Sequence, residues 1–310
     1  MLMPLIFLSP LYWPTWLGLI LLWIIAKLPW KMQMLLGHML GYLLYFVLKR
    51  RRDICHTNLR LAFPQLLTEE RKTLVFQHFI SLGKGLLETS MSWWGTERGL
   101  QNLAKFEGIE HLLEHLGKDD QSSTGIILLS AHFTSLELSG RILSASTPLH
   151  VLYRPHQNAL IEWVVARVRR KRYGKAIPRD NIRTMIKSLK DKQMVWYAQD
   201  QNFGHKNSVF VPFFGVDAAT NTSTSRISKI SKAVVIPFFA FRSEKEGYIL
   251  RFLPALKDFP SDNPKQDAMR INSIIENQVR EFSEQYLWTH RRYKDSPTGE
   301  DRYCNSYDDH

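Results

Sequence analysis

Gly125-Ile126-Ile127-Leu128-Leu129-Ser130-Ala131-His132-Phe133-Thr134-Ser135-Leu136-Glu137-Leu138 opens as a short uncharged run rich in β-branched residues and closes on the spacing of a helix start. An unbroken apolar run of this length, bounded by glycine and polar residues, marks a strand buried on both faces of a sheet. Comparable runs recur at His150 to Tyr153, Met194 to Ala198 and Ala233 to Phe241, and helical stretches such as Leu160 to Arg172 and Ile182 to Lys190 separate them. That alternation predicts an α/β fold, a single-domain sheet with helices on both faces. Upstream, Thr57 to Trp94 repeats apolar residues every three or four positions around a break at Phe63-Pro64, which predicts helices about a turn. Ile271 to Tyr286 predicts one more helix, and residues 295–310 form a polar tail expected to be mobile.

The N-terminus differs from the rest. The first charged residue is Lys27, so Met1 to Ala26 is an uncharged run long enough to span a bilayer. Pro4, Pro10 and Pro14 disfavour helix early in it, so a transmembrane helix is expected from Leu11 to Trp30, with Trp13, Trp16 and Trp30 as interfacial anchors. Without a basic leader or a small-residue cleavage site, this segment is expected to stay attached, making residues 1–30 an N-terminal membrane anchor. A buried apolar helix of the body is the alternative. The second uncharged stretch, Met32 to Leu48, is broken by Gly37, His38 and Gly41, which favours a helix lying along the membrane or packed on the body. Lys49-Arg50-Arg51-Arg52 follows, and the positive-inside rule then places residues 31–294, the body, in the cytoplasm on a single-pass anchor.

Composition narrows the function. With 45% hydrophobic and 23% charged residues among 310, the chain is globular and not disordered. A net charge of +12 invites a polyanion. Beside a membrane segment that polyanion is expected to be phospholipid headgroups, and no nucleic acid partner is expected. Cys55 and Cys304 lie far apart and lack metal-ligand spacing, so neither a disulfide nor a metal is expected. The chain has no Gly-x-Ser-x-Gly elbow, Walker loop, Gly-x-Gly-x-x-Gly or His-Glu-x-x-His, and no cofactor is implied.

The chemistry is expected where strands end. Ligands of open α/β sheets sit beyond the carboxyl ends of strands, and His132 falls there. Glu137, five residues on, could curl back to orient the imidazole so that it takes a proton from a hydroxyl. Thr134-x-x-Glu137 is equally a capping box, and His132 could be a core histidine. Arg154 and Asp200 follow the strands His150 to Tyr153 and Met194 to Ala198, on the same edge as His132. Asp200 could accept from a sugar hydroxyl, hold Arg154, or simply occupy a turn. Between them, Arg167 to Lys192 carries eleven basic residues against two acidic, either a solvated face or a phosphate-binding group. Phe210, Phe213 and Phe214 around Pro212 read first as core and second as the wall of an acyl groove.

Several strings together carry a family resemblance: Asn58-Leu59 with Phe63-Pro64, His132-Phe133 with Leu136-Glu137-Leu138, Tyr153-Arg154-Pro155, Asp200-Gln201, Val209 to Gly215, and Trp288-Thr289-His290-Arg291-Arg292-Tyr293-Lys294. The chain resembles the lipid A late acyltransferases, the lauroyl and myristoyl transferases of Gram-negative envelope synthesis, within the His-x4-Asp/Glu glycerolipid acyltransferase superfamily. The similarity covers nearly the whole chain, with Glu137 where much of the superfamily has Asp. It implies an acyltransferase domain that moves a fatty acyl group from an acyl carrier protein thioester to a hydroxyl of a lipid A precursor at the cytoplasmic face of the inner membrane. By that resemblance His132 and Glu137 are catalytic, and Arg172 and Arg179 are phosphate-contacting arginines beside Arg154 and Asp200 in substrate binding. Transfer to another phosphorylated lipid, a lysophospholipid or a glycosylated phosphoinositide, and plain binding of anionic lipid are the competing readings.

Overall fold

The computed structural model describes residues 3–116, 124–204, 208–243, 245 and 247–304. In chain order the helices are α1 (Trp13–Ile25), α2 (Trp30–Val47), α3 (Lys49–Ala62), α4 (Thr68–Trp94), α5 (Glu97–Gln101), α6 (Glu110–Leu113), α7 (Leu136–Ser146), α8 (Ala159–Arg172), α9 (Ile182–Lys190), α10 (Ser223–Ser231) and α11 (Pro264–Glu281). The strands are β1 (Ala104–Glu107), β2 (Ile126–Ser130), β3 (His150–Tyr153), β4 (Lys175–Pro178), β5 (Met194–Ala198), β6 (Ser208–Phe213), β7 (Val216–Asn221), β8 (Val234–Ser243) and β9 (Gly247–Phe252). Seven strands form one sheet in the order β1-β9-β8-β2-β5-β3-β4, parallel except for the β8–β9 pair. β6 and β7 make a separate antiparallel hairpin.

The strand that opened the sequence reading, β2, is central and buried throughout. Its side chains alternate between two cores, as the two-residue period of a strand requires. Ile127 and Leu129 join residues of α3, α4, α9 and α11, whereas Ile126 and Leu128 join Leu138, Ile142 and Leu143 of α7. Helices therefore cover both faces, as the α/β reading expects. Phe213 and Phe214 are buried in the first core, so the core reading of that segment holds and the acyl-wall reading does not. Trp288, Arg292 and Tyr293 are also buried there, with Arg292 donating to the carbonyl of Ala219 and the hydroxyl of Thr220.

Three expectations are corrected. The first concerns the membrane anchor, since no described helix is long and apolar enough to cross a membrane. Prolines bound the helix that forms there: Pro14 sits at the start of α1, and Pro29, just beyond the uncharged run, caps the start of α2. The 13 residues of α1 reach only about 20 Å at 1.5 Å per residue, short of a hydrocarbon core of about 30 Å. The second concerns the basic cluster read as a topology signal. It begins α3, where Arg51 donates to the Thr289 carbonyl and Arg52 to that of Tyr45. The third concerns the tail. Tyr303 is buried, its hydroxyl donates to Asn58 Oδ1 at 2.5 Å and accepts from the Tyr293 N–H, so the chain up to Tyr303 is packed on the body. Residues 305–310 of that tail lie outside the described residues.

The Met32 to Leu48 stretch packs on the body as α2, against α4. Gly37, Gly41 and Gly83 let the two backbones touch, while Leu35, Met39, Leu43 and Phe46 on the outer side stay exposed. A Cβ added at Gly83 would lie 2.2 Å from the Gly41 nitrogen and 2.3 Å from the Gly37 oxygen. Gly83→Ala should therefore destabilise the fold by about 1–3 kcal/mol, the usual cost of overpacking. Thermal unfolding of the purified variant measures this, and an unchanged midpoint would mean the helices do not meet at these glycines.

Candidate active site

Parallel register assembles the site. β2 and β5 are neighbours with Ser130 opposite Ala198, so the residues two beyond each pair partner, His132 and Asp200, leave the sheet side by side. On the next two strands Tyr153 of β3 lies opposite Pro178 of β4, and the residues that follow are Arg154 and Arg179. His132, Arg154 and Arg179 line one cavity of about 820 Å³ at the carboxyl edge of the sheet, with Asp200 buried behind His132, where ligands of open parallel sheets bind.

His132 and Asp200 are in direct contact. The imidazole donates through Nδ1 to Asp200 Oδ1 at 2.6 Å, and the His132 backbone N–H donates to Asp200 Oδ2 at 3.0 Å. This fixes Nδ1 as the protonated nitrogen and leaves Nε2 as the proton acceptor. The Tyr286 hydroxyl also donates to Asp200. Asp200 is 2% exposed. Burial works against its charge, but the His132 charge and the hydrogen bonds from its ring and backbone hold the carboxyl down at about 2. For His132, burial alone would lower the ring; the adjacent Asp200 charge and its hydrogen bond outweigh burial and raise it above 6.5. His290, nearby, is held at about 4, chiefly by burial, and stays neutral.

Glu137 does not hold His132. Its carboxylate, on the first turn of α7, takes a 3.1 Å ion pair from Arg169 of α8 at the cavity wall. It closes no capping box either, because Thr134 Oγ1 bonds Ser81 Oγ at 2.7 Å and the α7 start has no side-chain cap. The reason is geometric: α7 leads away from the strand end, while Asp200 already occupies the Nδ1 side of the ring. Asp200, in turn, spends its oxygens on His132 and Tyr286 and so is not placed to accept from a sugar hydroxyl or to hold Arg154. Arg172, one turn beyond Arg169, faces away from the cavity and pairs with Glu97 at 3.2 Å. Arg154 and Arg179 do line the cavity, Arg179 with Asp180 beside it.

Other residues complete the site. Arg169, Tyr173 and Arg226 add to its wall, and four arginines now face one cavity, a setting for an anion. Arg169 was within the basic run, and helical periodicity separates it from Arg172 only once the cavity side of α8 is known. Tyr286 was read as the end of a helix. In the structure α11 ends at Glu281, and the segment after it clamps the His132 loop: Thr134 N–H donates to Gln285 O at 2.8 Å and Leu287 N–H to His132 O at 2.9 Å. Below the clamp Arg242 binds Glu88 at 2.5 and 2.9 Å and Ser81 at 3.0 Å, and exchanges hydrogen bonds with Gln285. Of the backbone N–H groups near the α7 start, those of His132, Phe133, Thr134 and Leu136 are already bonded within the protein.

The family model described as bacterial lipid A biosynthesis acyltransferase matches residues 5–295. A lipid A biosynthesis palmitoleoyltransferase of Escherichia coli is 38% identical over 95% of this chain and 95% of its own. A lipid A biosynthesis lauroyltransferase of the same organism is 38% identical over 94% and 95%, and a lipid A biosynthesis acyltransferase of Haemophilus influenzae is 33% identical over 94% and 93%. The solved 1-acyl-sn-glycerophosphate acyltransferase of Thermotoga maritima aligns over 81% of this chain and 97% of its own, at 12% identity and a TM-score of 0.38, too distant to bear on the site.

The electrostatics of the pair give a direct test. By NMR titration of labelled histidine, His132 should titrate above 6.5 in the native protein. In Asp200→Asn the burial effect stands unopposed, and the ring should titrate below 6.5. A His132 pKa that does not fall in the variant would mean that the carboxylate does not face the ring in solution.

Proposed function

The chain belongs to the bacterial lipid A biosynthesis acyltransferase family, and from that premise we propose that it transfers a fatty acyl chain from an acyl carrier protein thioester to a hydroxyl of a lipid A precursor. The observation that carries this reading is the His132–Asp200 pair at the base of a cavity walled by Arg154, Arg169, Arg179 and Arg226. A base for a hydroxyl and a set of anion-binding forks meet in one place, which suits an acceptor that is both hydroxylated and phosphorylated.

In the proposed reaction, the acceptor hydroxyl attacks the thioester carbonyl while His132 Nε2 takes its proton. Asp200 keeps the ring in the right tautomer and stabilises the imidazolium, which returns the proton to the departing thiolate. Transfer is direct, since no serine, cysteine or threonine nucleophile stands in hydrogen-bond contact with His132 among the described residues. The positive end of α7 and the Arg169 guanidinium support the developing oxyanion. Glu137 acts through Arg169, holding it against the cavity wall, so both Glu137 and Asp200 are positioning residues. Arg154 and Arg179 bind the acceptor's phosphate. The enzyme works at the cytoplasmic face of the inner membrane, lying on the bilayer through the exposed apolar side chains of its N-terminal helices and the excess of positive charge.

Purified protein given a fatty acyl carrier protein and a lipid A precursor should yield acceptor heavier by one acyl group in mass spectrometry. Products formed instead from a lysophospholipid or a glycosylated phosphoinositide would move the enzyme to another acceptor class, and absence of any transfer would leave only lipid binding. His132→Ala should lower kcat/KM by about 10²- to 10⁴-fold, the range of general-base assistance. The neutral ring is the active form, so activity should rise with pH through an inflection above 6.5, and Asp200→Asn should move that inflection below 6.5 while lowering the rate. Glu137→Ala should lower the rate without moving the inflection, since its partner is Arg169. An inflection displaced by Glu137→Ala would restore the direct Glu137–His132 contact.

A further inference from the structure

α8 has two working faces. Arg169 and Tyr173 look into the catalytic cavity, whereas Val164, Arg167, Val168, Lys171 and Arg172, spaced three or four apart, line a second hollow on the other side of the helix. This second hollow is an open groove of about 440 Å³ between α8, α1 and the end of α4. Its walls are indoles: Trp16 and Trp23 from α1, Trp93 and Trp94 from α4, and Trp163 from α8. Lys171 and Arg167 stand exposed at one rim with the half-buried Arg172, which is paired with Glu97, and no acidic residue lines the groove among the described residues. The Arg167 guanidinium lies over the Trp163 ring, 5.6 Å from its centroid. The groove shares no lining residue with the catalytic cavity.

The geometry points to a lipid site separate from the catalytic cavity, in which one acyl chain of an anionic membrane phospholipid lies between the indoles and its phosphate meets Arg167 and Lys171. Two features select this occupant. An apolar trough with cations at one rim and none of the opposite charge in its lining complements an amphiphile with an anionic head and an apolar tail. In addition, the groove continues into the exposed apolar side of the N-terminal segment, where Leu17, Ile20, Leu21, Trp23 and Ile24 meet solvent in the isolated chain. A lipid drawn from a bilayer under that surface reaches the groove without passing the catalytic cavity. Indole rings suit such a boundary, since they are apolar in body and polar at one edge.

The test is native mass spectrometry of the full-length chain, delipidated in detergent and titrated with dioleoyl phosphatidylglycerol or dioleoyl phosphatidylcholine, with acyl transfer measured on the same samples. The native protein should retain one phosphatidylglycerol in preference to phosphatidylcholine by about thirtyfold, from two well-placed cations. Arg167→Gln with Lys171→Gln, an exposed pair that leaves the core untouched, should erase the preference. Val168→Glu, which puts a carboxylate in the trough, should abolish retention of both lipids while transfer in phospholipid-free micelles continues. Equal retention of the two lipids by the native protein would overturn the proposal, as would retention unchanged by Val168→Glu. So would an acceptor KM raised by Val168→Glu in micelles, because the groove would then hold a chain of the acceptor.

Discussion

Everything at the carboxyl edge of the sheet depends on one buried carboxylate. Asp200 accepts from the ring, from the backbone of His132 and from Tyr286, which joins the loop after β2, the end of β5 and the segment after α11. Two of those pieces, the loop after β2 and the segment after α11, are tied a second time by backbone bonds from Thr134 to Gln285 and from Leu287 to His132. A charge buried this deeply is costly unless each oxygen is met by a donor. Here the donors are the parts that must be aligned, so satisfying the carboxylate and orienting the imidazole are one event. Arg242, with Glu88 and Ser81, supports the same loop from below, while the His132 side chain stays about a quarter exposed and faces the cavity.

Much of this was legible in sequence, for physical reasons. The apolar run ending at Ser130 identifies a central strand, and the rule that ligands sit beyond parallel strand ends places His132, Arg154 and Asp200 on one edge. The partner of His132 was not legible. Proximity along the chain favours Glu137, but a helix carries Glu137 away within a turn, and a neighbouring parallel strand brings Asp200 in from 68 residues off. Strand order and register decide that, and no local pattern encodes strand order. Arg172 fails for a related cause: in a run of adjacent cations, the face of α8 that meets the cavity is set by what packs behind it, not by the run itself. Tyr286 and Arg226 left no signal that distinguishes them from any aromatic or basic residue.

The N-terminus shows how hydropathy and helix geometry part company. The uncharged run is as apolar as a membrane segment, but prolines keep α1 short, and α2, the next helix, turns a glycine face to α4. What remains is an apolar surface on short helices that belong to the body. This acyltransferase thus carries its exposed apolar surface on the same helices that complete its fold, and α1 also supplies one wall of the indole-lined groove.

The equal offset of His132 and Asp200 from the Ser130–Ala198 pair also limits how the gene can change length. One codon inserted between Ser130 and His132, or between Ala198 and Asp200, would advance one partner past the other and turn its side chain toward the opposite face. Codons gained between Phe203 and the start of β6 at Ser208, or beyond the end of α7, would enter connections that carry neither partner. Reading frames of diverging copies should therefore accumulate insertions and deletions in the connections while both two-residue spacers stay fixed in length, whatever residues come to fill them.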